Sequence, residues 1–151
     1  MKYLWWPLII FLAFLLQNSI SILAVSPNLT VLVVYYIGIR HGGTKGLLAG
    51  ALIGALEDIM ASSMIGPNML AKGMAGLLSA SFLSGNFLIW TPLVGTFAVA
   101  LLTFASSTVV FLSLALFDKL PTHPATALFA ATMQSLMNAL AGIFMRPENA
   151  D

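Results

Sequence analysis

Cysteine is absent from the 151 residues, and charged residues make up only 7% of them. Without cysteine the chain has no disulfide framework, no thiolate metal site and no cysteine nucleophile. Ordinary soluble domains are roughly a quarter charged, so this few charges cannot cover a water-soluble domain of this size. A net charge of +1 gives no field for steering nucleic acid, and the basic residues sit at segment ends and turns. The two histidines, His41 and His123, fall in separate connectors with no partner at metal-ligand spacing. Ser19, Ser21, Ser62, Ser63, Ser79 and Ser81 have no nucleophile elbow around them, and the glycines lack the lysine and hydroxyl context of a phosphate-cradling loop. The sequence therefore predicts no catalytic residue, no cofactor and no metal, and a protein that is not an enzyme.

What the chain does have is apolar length: 60% of its residues are hydrophobic. Breaks at Ser26-Pro27-Asn28, Arg40 to Gly43, Ile65 to Asn68, Ser84 to Asn86 and Asp118 to Pro124 divide it into six apolar runs. These predict a single all-α domain over residues 1–151, a polytopic membrane protein with six transmembrane helices in one compact bundle and a short second helix. The expected spans are 4–25, 27–41, 44–64, 68–84, 92–117 and 124–145. Lys2, Trp5 and Trp6 sit at the start of the first, which also has the pattern of a signal peptide. The stretch 87–117 exceeds one crossing, and Pro92 and Gly95 leave open one kinked span or a re-entrant segment followed by a span. With Lys2, Arg40, Lys45 and Arg146 on one side and Lys119 on the other, the positive-inside rule predicts both termini in the cytoplasm.

Within the third run Gly42, Gly46, Gly50 and Gly54 recur every four residues and lead to Asp58. That spacing keeps them on one helix face, a smooth strip that either packs the bundle internally or receives a partner's helix. Asp58 continues the strip and is expected inward, while Glu57 is turned about 100° away. Lys72 follows the next turn at a depth that pairs it with Asp58; the alternatives are snorkelling of Lys72 with both acids at the interface, or transport and proton-relay work. In the last run Gln134, Asn138 and Gly142 share a face, as do Thr103 and Ser107 in the fifth; interhelical hydrogen bonding is the favoured role, ahead of a ligand site.

The ordered set Pro27-Asn28-Leu29, Tyr36-Ile37-Gly38-Ile39-Arg40-His41-Gly42, Gly46, Gly50, Gly54, Asp58, Ser62, Gly66 and Asn68-Met69-Leu70 resembles the rod shape-determining protein MreD family. The match is densest between Pro27 and Gly85, and Asn28 stands where family members often carry an acid. The resemblance implies a bacterial inner-membrane subunit of the cell-elongation machinery. The partners it implies are MreC, the filament protein MreB, a RodA-type glycosyltransferase and a class B penicillin-binding transpeptidase, besides membrane lipid. It also implies an architecture similar to the six-helix S-components of vitamin transporters. That similarity supplies an alternative function, substrate binding for uptake, with Glu57, Asp58, Lys72, Gln134 and Asn138 as the pocket residues.

Overall fold

The computed structural model describes residues 11–13, 15–17, 19, 25–61, 64–83, 91–120 and 122–145, with the side chains of 81–83 excepted. Most of the first expected span lies outside this set, as do Lys2, Trp5, Trp6, Ser62, Ser63, the stretch 84–90 and Arg146. The described residues are helical apart from turns and connectors. Residues 11–13, 15–17 and 19 belong to helix α1. It is followed by α2 (Leu29–His41), α3 (Gly43–Met60), α4 (Pro67–Leu83), α5 (Pro92–Leu116) and α6 (Pro124–Gly142).

Local chemistry fixes these boundaries. Pro67, Pro92 and Pro124 each open a helix, where a fixed φ helps and a missing N–H has no partner to lose. The Thr91 side chain accepts the Val94 N–H at 3.2 Å to cap α5, and from Pro92 onward the fifth run is one continuous helix. Gly42 ends α2 at φ 93, a left-handed conformation that glycine adopts without strain, so it lies in the turn ahead of α3. α5 closes with the double bond pattern of a Schellman motif: Lys119 N–H to Leu114 O at 3.0 Å and Asp118 N–H to Ala115 O at 3.2 Å. Asp118 holds its left-handed position at φ 53.

α3 and α4 form an antiparallel hairpin, α5 and α6 form a second, and α2 packs against both. The hairpin interiors are built from small residues. α3 turns Gly46, Gly50 and Gly54 inward and α4 answers with Ala71, Ala75, Gly76 and Ser79. Two residues after each glycine, on the opposite face, Leu48, Leu52 and Leu56 point outward, Leu52 being 68% exposed. Large apolar side chains outside and glycine, serine and charge inside invert the pattern of a water-soluble fold. Among the described helices α5 alone is long and apolar enough by itself to cross a bilayer. Its first half meets α2 in an apolar cluster of Leu32, Tyr35, Ala98, Val99 and Leu102.

Candidate functional site: a buried polar chain

Helix α3 ends in two acids with different surroundings. Asp58 is fully buried and lies on the glycine face. Its carboxylate accepts the backbone N–H groups of Gly66 (2.8 Å), Asn68 (3.2 Å) and Met69 (3.2 Å), and the Asn68 amide at 2.9 Å. A helix start leaves N–H groups without intrahelical partners, and Pro67 has none to offer. Asp58 thus caps α4 from the neighbouring helix, placing negative charge at a positive helix end.

Glu57 faces the groove between α2 and α4. One oxygen accepts the Thr30 hydroxyl at 2.5 Å, and the other forms an ion pair with the Lys72 ammonium. Lys72 is fully buried, and the sequence reading that paired it with Asp58 is corrected here. The antiparallel register sets Lys72 opposite Gly50, eight residues along α3 from Asp58, so the two are not at similar depth, and the N-terminus of α4 takes the Asp58 carboxylate. The rotation of one residue aims Glu57 at the lysine instead.

From Glu57 the polar chain continues across the molecule. Thr30 Oγ1 also lies 2.9 Å from Asn28 Oδ1. The carbonyl of Asn28 accepts the Asn138 amide at 2.8 Å, and the same amide nitrogen donates to Thr103 Oγ1 at 3.2 Å. Five helices, α2 to α6, are joined through six side chains and one carbonyl-bearing connector. Gln134 makes a separate tie, accepting the Ser107 hydroxyl at 2.9 Å, and Ser135 donates to the Ala100 carbonyl at 2.8 Å. Asn138 Oδ1 and the Tyr35 hydroxyl are buried without a protein partner.

The glycines set the spacing that makes this chain possible. A methyl group at Gly46 would run into the Gly76 carbonyl, at Gly50 into the Lys72 carbonyl, and at Gly54 into the Asn68 carbonyl. Each step of four up α3 is matched by a step of four down α4, so the strip packs inside the bundle. Gly38 of α2 joins the same junction, its Cα within 2.8 Å of a methyl placed on Gly46. Gly42 is not part of the strip: it is exposed in the turn, with nothing within 4 Å of a methyl there. Thr30, Gly38, Gly76 and Ser135 were not singled out as site residues from sequence. The four-residue series Asn68, Lys72, Gly76, Ala80 on α4 is the signal that would have revealed the complementary strip.

A family model for the rod shape-determining protein MreD matches residues 1–147, essentially the whole chain. The chain belongs to the MreD family. No curated protein and no solved structure gives a match. MreD is a rod-shape-determining membrane protein family, and the buried chain of polar groups lies in the interior of this member's helical bundle. The family takes part in the rod-shape complex with MreB and MreC and is a shape-determining structural family. In lipid, helix association rests on close packing and interhelical hydrogen bonds. The glycine junction and the polar chain of this MreD-family protein are those two devices.

Proposed function

We propose that this chain is a non-catalytic scaffold subunit of the bacterial cell-elongation complex. In this reading it spans the inner membrane six times, binds MreC, and links cytoplasmic MreB filaments to peptidoglycan synthesis by a RodA-type glycosyltransferase and a class B penicillin-binding transpeptidase. The supporting observation is how the interior is used. The carboxylates of half-buried Glu57 and buried Asp58 are engaged with Lys72, Thr30 and the start of α4, which makes them structural ties within the bundle. What remains for partners is helix surface: the outward faces of α3 to α6 carry large apolar side chains such as Leu52, Met74, Phe97 and Leu140.

The test is capture of the tagged chain from membranes of cells that make MreC and the wall synthases, with and without MreB. Recovery of MreC in both cases supports the scaffold. Failure to recover any wall-synthesis component overturns it and moves the reading to transport.

A further inference from the structure

Helix α3 has two unlike faces. Its glycine face packs on α2 and α4, and its outward face holds Leu48, Leu52, Leu56 and Ile59, each more than half exposed. Lys45 is exposed on that outward face. At about 100° per residue it lies about 60° from Leu48 around the helix and about 20° from both Leu52 and Leu56, so it heads the apolar stripe. From Lys45 to Leu56 the helix rises ~16 Å, close to the depth of one leaflet's hydrocarbon, half of a ~30 Å core. Other polar groups gather at the same level. Arg40, His41 and Thr44 are exposed around the turn at Gly42. The Arg40 guanidinium lies 5.4 Å from the centre of the Tyr36 ring, one turn back along α2, so it is held over its own helix beside the turn.

We propose that the α2–α3 turn and the outward face of α3 form a binding site for an anionic phospholipid; the site rests on the reading of this chain as membrane-spanning. Arg40 and Lys45 meet the phosphate, with the Thr44 hydroxyl as a further donor, and an acyl chain runs down Leu48, Leu52 and Leu56. A guanidinium and an ammonium match a phosphate in charge and in donors. Basic side chains beside a membrane-embedded helix attract anionic lipid. The stripe decides for lipid over an acidic protein. A soluble acidic surface could meet the cations but not the leucines below them, whereas a phospholipid meets both in one molecule.

The test places the full chain in phosphatidylcholine vesicles that contain a trace of either phosphatidylglycerol or phosphatidylcholine bearing a photoactivatable diazirine on one acyl chain. Both leaflets have the same composition, so the direction of insertion does not affect the result. Labelled peptides from α3 are compared with those from the outward face of α6 around Leu136, which is 61% exposed. The site predicts that phosphatidylglycerol labels α3 at least about fivefold more than phosphatidylcholine does, the ratio that one cation near the surface supplies, with no such preference at α6. Arg40→Gln with Lys45→Gln should remove the preference and leave the α6 labelling unchanged, which reports a retained fold. Arg40→Lys with Lys45→Arg should keep it. Equal labelling of α3 by the two lipids in the unaltered chain, or a preference that survives the glutamine substitutions, overturns the proposal. Equal labelling together with loss of a cytoplasmic protein from the glutamine variant on capture would assign the cations to a protein and overturns it too. Failure of both lipids to label α3 and α6 would overturn the membrane-spanning reading with it, so the two failures are told apart.

Discussion

Glu57 and Asp58 adjoin in sequence yet serve different neighbours, because one residue along a helix is a rotation of about 100°. The four-residue series from Gly46 to Asp58 made the inward direction of Asp58 readable from sequence. What it serves was not readable, since a helix N-terminus competes with an ammonium only once the chain has turned at Gly66. The two acids should therefore fail differently. Lys72→Ala leaves the Glu57 carboxylate buried beside the Thr30 hydroxyl alone, and loss of one partner of a buried pair costs about 3–5 kcal/mol. The double variant Glu57→Gln with Lys72→Met removes both charges and keeps their volume, so its thermal unfolding in detergent should lie well above that of Lys72→Ala. Equal midpoints would show that the pair contributes nothing. Asp58→Ala uncaps α4 at Gly66, Asn68 and Met69, a loss of about 1–2 kcal/mol by cap energetics, and the defect should appear as faster amide exchange in the first turn of α4.

The helices illustrate why packing in lipid selects small residues. Four-residue glycine spacing announced a helix contact in the sequence, but its partner became identifiable only with the antiparallel match of Gly46, Gly50 and Gly54 to Gly76, Lys72 and Asn68. Gly50→Ala drives a methyl into the Lys72 carbonyl, so the two backbones must part. Overpacking of this kind costs about 1–3 kcal/mol, and it should lower the folded yield even in cells that lack every partner. Leu52→Ala, on the same helix but facing outward, should change stability by no more than about 0.5 kcal/mol. Comparable losses from the two would mean that the strip is not the packing face. Helix ends were partly hidden from the sequence because their cause was remote or unusual. α3 stops at Met60, short of the expected 64, where Asp58 reaches over to the next helix. α5 stops at a left-handed Asp118, where glycine is the usual residue. Asp118→Gly should relieve that position and raise the unfolding midpoint, whereas Asp118→Val should lower the midpoint, since a β-branched side chain in the left-handed region costs about 1–2 kcal/mol of stability.

For the whole molecule, the segment order and the all-helical class follow from hydropathy, while the joining of the two hairpins, by α4 packing on α5 and by polar bonds through the N-terminal end of α2, does not. Asn28, Thr30, Thr103 and Asn138 are polar residues scattered over more than a hundred positions, and only the fold collects them. The fold also sorts the cations. Arg40 and Lys45 are exposed at the end where α2 meets α3, and Arg40 lies 5.4 Å from the centre of the Tyr36 ring, an arrangement suited to an interface. Ile39 and Met145 pack against one apolar cluster, so α6 finishes at that same end, whereas Lys119 follows α5 at the opposite one. The positive-inside rule predicts the Arg40 end in the cytoplasm, with the carboxyl terminus on that side. A fluorescent protein fused after residue 151 should then mature and fluoresce, and alkaline phosphatase fused at the same place should stay inactive. The reverse result would invert the bundle, put Arg40 and Lys45 outside, and remove the α2–α3 turn from the reach of any cytoplasmic filament. Moving the bias tests the cause: Arg40→Gln with Lys45→Gln should weaken the fluorescent signal and raise the phosphatase signal, because these two exposed cations hold that end in place.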